Sequence, residues 1–475
     1  MSHVAATGPP ALPTEVDVIN VGLQLFAGAV AAQGRPVVHV DWQIPAGGDP
    51  ELVGALRRLY GPMTEGIDRA NAEVLHRLDT GVPMLTRICP AAEAVQGLVG
   101  KVLLHPGPAL EWPDVCDPLR RSMRAAVVAE GWADHPVQAD ALLESGAVTL
   151  SPANEAGVVV PMAAVVTPTT PGWVVELAAG TVTTFAPLGQ GPGDVAWFGK
   201  DTAGAIARLV MLREAAAPVL SQAVRESGPV DVLSLAAQAV AMGDDVHVRT
   251  QAATNLLLRH WLPALVAVDH PRRVEVARAL SDNHLLFLTL AMAAARALAG
   301  WAAAVPGSSV VTGMCRNGTE FGIRVGDNRH WFRAPAPMVG NALYHPGHGP
   351  ADGAPDIGDS AVLELVGLGG AAAAGSPAVA QLVGGSAAAE EMTAEMDRVC
   401  VGRSTRFTLP TRGGQGTPLA VDVRAVVEHG IAPKVTTGIL HAADGSGQIG
   451  VGVAVAPLEP FRSALVALDQ RPTGA

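Results

Sequence analysis

The most constraining stretch lies near the start of the chain. Residues 16–21 form an apolar, β-type run, residues 23–32 carry helical periodicity, and residues 37–40 return to a strand pattern. Gly34 falls where a helix C-terminus favours a left-handed residue. Strand, helix and strand at this length make a βαβ unit, and strands joined by such a crossover run parallel. A dinucleotide fold of this kind wants three spaced glycines before its helix. Only Gly22 is present, although Asp41 closes the second strand about twenty residues on. The unit therefore reads as a bare scaffold, with anion capture at its helix N-terminus the one binding role left open.

The rest of the chain must supply the core. At 475 residues it has room for two to four domains of about 100–200 residues each. Hydrophobic residues make up 49% and charged residues 16%, a balance that supports a large buried interior and argues against disorder. Aromatics are only 4%, so Ala, Val and Leu must fill that interior. A net charge of −12 disfavours a nucleic-acid partner, because phosphate binding needs a basic face. The four cysteines, Cys89, Cys116, Cys315 and Cys400, are far apart and form no C-x-x-C pair. They read as reduced thiols of a cytoplasmic protein, with no metal site and no cofactor implied. Residues 1–13 lack the basic and apolar blocks of a secretory signal. Two uncharged stretches, 156–175 and 365–389, are interrupted by proline and glycine and do not predict membrane spans.

Helical spacing recurs over residues 51–60, 65–78, 114–130 and 137–144, and residues 84–88 read as a strand. Residues 158–175 are β-branched with Pro and Thr interruptions. From 201 to 301 long helical patterns dominate, with breaks expected at Gly228-Pro229, Pro263 and His270-Pro271. Short strands are predicted at 310–314, 321–325 and 331–333. Glycine-capped helices follow over 361–385, then a helix over 387–401 and mixed strand and loop over 419–453. The fold class is mixed α/β and multi-domain. An N-terminal βαβ-containing domain would span 1–200, a helical domain or insertion 201–305, and a Gly-rich α/β domain 306–475.

Three segments carry candidate chemistry. Residues 313–324 place Arg316, Asn317 and Arg324 around Gly318 and its neighbouring glycines, at the end of a strand. Guanidinium groups bind carboxylate or phosphate in bidentate fashion, and glycine lets backbone approach a ligand. The competing reading is a turn with surface arginines. His345 and His348, followed by Asp356, Asp359 and Ser360, lie on irregular backbone and offer an acid/base pair; their spacing does not support a metal. Asp residues beside glycine equally suit Asx-turns. The loop 151–157 holds Asn154 and Glu155 and by itself is an ordinary polar loop. His247 follows Asp244-Asp245 and would share a helix face with Asn255, where an isolated histidine is more often structural. Thr436-Thr437-Gly438, between Lys434 and His441, is ambiguous. Serine-hydrolase elbows, P-loops and zincin motifs are absent from the sequence.

Read in order, several of these segments resemble one known family. Val18-Ile19-Asn20-Val21-Gly22-Leu23, the run from Pro36 to Trp42, Ala46-Gly47-Gly48-Asp49-Pro50, the run from Arg316 to Arg324, Asp356-Ile357-Gly358-Asp359-Ser360, Gly367-Leu368-Gly369-Gly370 and Val383-Gly384-Gly385 are similar to the YlbE-like family. The match runs from about residue 16 to 461. The resemblance implies a mixed α/β fold with a small helical bundle. It also implies a subunit of oxamate carbamoyltransferase working with an FdrA-like subunit and a further partner, in allantoin and purine nitrogen breakdown. The reaction would exchange a carbamoyl group between oxamate and phosphate, with oxalurate or carbamoyl phosphate as the small anionic substrate. Members commonly carry a Cys/His-rich motif where this chain reads Ser151-Pro152-Ala153-Asn154-Glu155-Ala156-Gly157. The imidazoles are missing here, which leaves Glu155 as the group able to move a proton.

Carbamoyl transfer needs anion clamps, donors at the developing oxyanion and a base, and no covalent nucleophile. On that footing Arg316 and Arg324 are expected to hold substrate oxyanions, with Asp356, Asn154 and Gly318 completing the pocket. Asn317 would donate to the carbonyl oxygen, and His345 or Asp359, with Glu155, would move protons. Two other roles compete: a non-catalytic assembly partner of an FdrA-like subunit, and a small-carboxylate binding module. An oligomer is expected in each case.

Overall fold

Val18–Val21 and Val37–Val40 pair in parallel, Val18 opposite Val37 and Val21 opposite Val40, with the helix Gln24–Ala31 as their crossover. The computed structural model describes residues 18–40, 42, 44–177 and 180–471, so residues 16 and 17 and Asp41 of the expected unit lie outside the described residues. Gly22 and Gly34 turn the chain with φ of 110° and 70°, values that favour glycine. This unit packs chiefly on itself. Ile19, Val21, Leu25, Phe26, Val38 and Trp42 are all exposed. Parallel strands are normally covered on both faces, and a two-strand sheet is marginal alone, so this apolar surface is one that a partner would cover.

Asp49 starts the next segment as an N-cap, accepting from Glu51 N at 2.9 Å and Leu52 N at 3.2 Å, with Pro50 at the first helical position. Helices Pro50–Leu59 and Thr64–Thr80 follow. An antiparallel sheet runs in the order Thr183–Pro187, Pro171–Leu177, Pro83–Pro90, Val230–Asp231. Against it lies the helix Leu286–Ala302, whose run of alanines lets helix and sheet approach closely. Two polar bolts fix the contact: Trp173 Nε1 donates to Thr289 Oγ1 at 2.8 Å, and Thr184 Oγ1 donates to the Ala293 carbonyl at 2.8 Å. Trp173 also stacks on Trp261 with centroids 5.9 Å apart. The scarce aromatics thus sit where the small-residue core needs bulk.

The helical character expected from 201 to 301 is observed, but Pro263 does not end its helix. Gln251–Ala267 runs through it, with Leu257, Trp261 and Ala264 buried on either side of the proline. Tertiary burial there outweighs the one lost backbone bond. A five-residue π-helical turn, Leu212–Ala216, joins Ala203–Met211 to Ala217–Ser227. Among the strands unread in the sequence, Val102–His105 and Thr149–Pro152 pair in parallel.

In the C-terminal part, a four-stranded sheet runs Phe332–Pro335, Glu320–Val325, Val311–Asn317, Ile357–Gly358. Its neighbour runs Val339–Tyr344, Gln448–Val455, Lys434–Leu440. A ribbon, Cys400–Leu409 with Gln415–Val421, and the helix Val423–His429 complete it. The largest buried cluster draws on residues from Ala70 through the helices of the middle segment to Ala420. Among the described residues no single helix is long and apolar enough to cross a membrane.

Because the first βαβ unit contributes little to these cores, a chain beginning at Ile44 should keep its fold. We expect an unchanged far-ultraviolet spectrum per residue and a thermal midpoint within about 2 °C of the full chain, since a few tenths of a kcal/mol is all such a surface unit supplies. Circular dichroism during a thermal melt checks this.

Candidate functional site

The loop from Asp244 to Thr250 is short, buried and strained. Val246 is fully buried and has φ of 58°, a conformation that β-branched residues rarely adopt. Asp245 holds the loop in place: Oδ1 accepts from His247 N at 3.0 Å and Arg249 N at 2.9 Å, and Oδ2 accepts from Thr436 Oγ1 at 3.0 Å. Asp244 accepts from Ala253 N at 2.9 Å and Arg249 Nε at 3.1 Å, and burial pushes its carboxyl up to about 6. Such strain, of order 1–3 kcal/mol per residue, persists where surroundings over-determine it, and it gathers at functional sites.

The loop delivers His247. Its Nδ1 lies 2.8 Å from Oε1 of Glu364, and both side chains are buried. Glu364 Oε1 also accepts from the backbone N–H of Gly370 at 3.2 Å and of Thr436 at 3.3 Å. Nothing larger than glycine fits at 369, where φ is 56° and a Cβ would sit 2.1 Å from that oxygen. With the carboxylate on Nδ1, that nitrogen carries the proton and Nε2 is left as the acceptor. No described residue takes up Nε2, and the ring lines a cleft. Ser360, Thr437 and Gln448 form the rest of the polar lining, with Met162, Leu285 and Leu288 on the apolar side. Met162 is also left-handed, at φ of 48°, wedged where Gly358 and Gly438 leave room.

Behind the polar wall sits Arg316, fully buried. Nε and Nη2 grip Asp356 at 2.7 and 3.0 Å, and Nη1 donates to the Gly358 carbonyl at 2.8 Å. The same guanidinium reaches Ser360 Oγ at 3.4 Å and Thr437 Oγ1 at 3.4 Å, and Thr437 Oγ1 donates to Asp356 at 2.9 Å. Each of its donor nitrogens is thus engaged within the chain. Arg324 leaves the hairpin on the opposite face. Arg316 pairs with Phe321 and Arg324 with Gly313, so the strand pleat sends the two guanidinium groups to different sides. The single pocket expected to take both arginines is therefore divided by the sheet.

Arg324 bonds Glu155 and lies over Trp331, 4.2 Å from the ring centroid, while Trp331 Nε1 donates to Glu155 at 2.9 Å. Arg296 joins this side by donating to the Asn154 carbonyl at 3.3 Å. Burial, then the nearby Arg324 charge, lowers its pKa. Asn154 Nδ2 donates to Asp359 Oδ1 at 2.8 Å, which also accepts from Gly107 N at 2.9 Å; Oδ2 accepts from Val160 N at 3.0 Å. Burial pushes the Asp359 carboxyl up to about 7 against the pull of these donors. Asn317 bolts its own turn, accepting from Thr319 N at 3.0 Å and Glu320 N at 2.6 Å and donating to the Pro108 carbonyl at 3.0 Å. Gly318, at φ of 83°, opens the two-residue hairpin loop and packs on Cys116.

The structure therefore joins Arg316 with Asp356, Asn154 with Asp359, and Glu155 with Arg324. His345 stands apart, exposed after Val339–Tyr344, with no hydrogen bond from its ring among the described residues. His247 is not on a helix face with Asn255 as its spacing suggested; it sits in the loop before Gln251–Ala267, and Asn255 is exposed. The sequence reading passed over the His247–Glu364 pair. The signal was present in Asp244-Asp245 before the histidine and in Gly367-Leu368-Gly369-Gly370, whose Gly369 makes room for the carboxylate.

A mixed α/β chain with a buried histidine–carboxylate pair facing a polar cleft is the class these features define. The sequence profile of the family described as oxamate carbamoyltransferase subunit AllG matches residues 148–360, a span that includes His247, Arg316 and Ser360. The oxamate carbamoyltransferase subunit AllG of Escherichia coli K12 is 36% identical over 86% of this chain and 99% of its own length. YahG of the same organism, an uncharacterized protein, is 32% identical over 96% of this chain and 98% of its own. A crystal structure of a conserved protein of unknown function from Enterococcus faecalis V583 matches with a TM-score of 0.83 at 33% identity, covering 86% of this chain and 98% of that one. The chain belongs to the AllG family.

Asp359 gives a testable consequence. A carboxyl raised on folding stabilises the native state most while protonated, and that contribution fades as pH climbs from the ordinary carboxylate range through about 7. Asp359→Asn turns an amide NH₂ toward a backbone donor and should cost about 1–3 kcal/mol. Its deficit against the parent should be largest near the acid end and narrow as pH rises through about 7. Urea unfolding of both proteins across that range reads the difference, and a widening gap would contradict the assignment.

Proposed function

We propose that this chain is a subunit of a carbamoyltransferase that moves a carbamoyl group between an oxamate-type amide and phosphate, and that the His247 cleft holds the carbamoyl group. The observation that carries this reading is the His247–Glu364 pair opening on a cleft whose Ser360 hydroxyl is backed by Arg316. Ser360 Oγ accepts from Arg316, so its own hydrogen is free to donate to a carbonyl oxygen. Gln448 Nε2 is spent on the Gly450 carbonyl at 3.2 Å, which leaves its Oε1 to accept an N–H. One donor and two acceptors around a small cleft complement a group that is itself a carbonyl beside an amide nitrogen.

In the direction of oxalurate breakdown, a phosphate oxygen attacks the carbamoyl carbon and the bond from that carbon to the oxamate nitrogen breaks. Neutral His247 takes the proton of the attacking hydrogen phosphate on Nε2 and gives it to the leaving nitrogen, producing oxamate and carbamoyl phosphate. In reverse, Nε2 takes that proton as the oxamate nitrogen attacks. Glu364 holds the imidazolium formed, and Ser360 donates to the oxygen on which charge develops. Arg316 acts here by polarising Ser360 and by fixing Asp356, not by gripping substrate. Among the described residues no arginine or lysine lines the cleft. The phosphate clamp is then assigned to a partner subunit, for which the resemblance suggests an FdrA-like chain, docking on the exposed apolar face of the first βαβ unit.

His247→Gln should lower turnover of the reconstituted complex by about 10²–10⁴-fold while leaving assembly intact, and Glu364→Gln should cause a smaller loss. The assay is carbamoyl phosphate formed from oxalurate and phosphate with all subunits present. Unchanged turnover in the His247 variant would leave this chain an assembly partner instead. Loss of complex formation in the chain beginning at Ile44, with its fold retained, is the expected result for the docking face.

A further inference from the structure

A second cavity lies between the helix Asp117–Ala129, the turn at residues 165–171 and the π-helical turn Leu212–Ala216. It shares no lining residue with the His247 cleft. Three features mark it as built. Ser122 Oγ, with the side chain only 1% exposed, lines the cavity and has no hydrogen-bond partner among the described residues. Unpartnered buried hydroxyls are rare in folded proteins and call for a reason. Glu130 is fixed at the wall by the hydroxyls of Thr167 and Thr169, both donating to Oε1, while Oε2 has no protein donor. The π-helical turn widens the helix at this point and brings Arg213 to the wall, where Nη1 donates to the Ala129 carbonyl at 2.9 Å and to Thr169 Oγ1 at 3.2 Å. Such turns interrupt α-helices mostly at functional sites.

The hydrogen bonds specify what the cavity lacks. The Thr167 and Thr169 hydroxyl protons are committed to Glu130, and that of Thr170 can go to Thr167 Oγ1, 2.8 Å away. Gln190 Oε1 is taken by Trp197 N at 3.0 Å, which leaves its Nε2 protons free. What remains is one carboxylate oxygen on Glu130, the donors of Ser122 and Gln190, and the positive charge of Arg213, whose Nη2 also lies 3.7 Å from Glu214 Oε1. Apolar walls, Val165, Leu209 and Leu212 among them, close the rest.

We infer that this cavity is a second small-molecule site, for a short carboxylate bearing N–H donors. The nitrogen would face Glu130, and the carboxylate would face Ser122, Gln190 and Arg213. Aliphatic α-amino acids and amide acids such as oxamate share this chemistry, and the experiment separates them. Isothermal titration of the full chain with L-valine, L-alanine and oxamate should give saturable binding with at least one probe, weakened at least ten-fold in Glu130→Gln and unchanged in His247→Gln. Gln retains an acceptor for both threonine hydroxyls, so the fold should persist, and an unchanged melting midpoint checks it. Should that midpoint fall, Ser122→Val supplies the same comparison without disturbing the threonine cluster. Valine or alanine as the bound probe supports a site for a ligand outside the proposed reaction. Oxamate lost in Glu130→Gln alone supports the site with a reaction component as its ligand. Absence of saturable binding by all three probes, or binding that only His247→Gln weakens, would overturn the inference.

Discussion

Arg316 and Asp356 form the interaction on which the C-terminal half depends. Burying an ion pair is costly, and the pair is retained only if its remaining donors and acceptors are met. Here they are. The guanidinium spans the hairpin strand Val311–Asn317, the short strand Ile357–Gly358 and the strand Lys434–Leu440 through Thr437. A two-residue strand such as Ile357–Gly358 has little register of its own, and the bidentate Arg316 bond to the residue before it supplies one. Removing one partner would leave a buried charge and cost about 3–5 kcal/mol. The pair also sets the hydroxyls of Ser360 and Thr437, so what fixes the fold also orients the cleft wall.

Strain is concentrated on the same cleft. Val246 and Met162 are both left-handed and approach it from different segments. Each is held by contacts that a small change would break: Asp245 for the first, the close approach of Gly358 and Gly438 for the second. Gly369 extends the pattern, since any side chain there would displace the Glu364 carboxylate from His247. Preorganisation of this kind sets the dyad before substrate arrives, at a cost carried by the surrounding core.

Much of this organisation was legible from residue order alone. The parallel βαβ pair followed from strand, helix and strand lengths. The helices of 201–301 followed from periodicity, though Pro263 misled, because the backbone rule counts one lost bond and not the burial of Trp261. Segments 316–324 and 356–360 stand out in the sequence, but their residue types could not tell a substrate clamp from an internal brace. That distinction rests on the pleat, which separates Arg316 from Arg324, and on Asp356 lying within reach of Arg316 across forty residues of sequence. His247 was harder still. Its partner is 117 residues away, and the left-handed Val246 that aims it has no sequence signature.

The placement of charge bears on why such a chain would act as one subunit among several. The cleft carries a histidine–carboxylate pair and no cation, while Arg296 and Arg324 gather on the far side of the hairpin with Glu155 and Asn154. Both of those arginines keep a buried Nε without a partner. Glu155 and Asp359 offset the repulsion between these two like charges, and burial lowers the pKa of Arg296. On the proposed reaction the cleft would bind the neutral carbamoyl end of a substrate, and groups from outside this chain would meet the charged end. An apolar βαβ unit standing off the body is a means of bringing them.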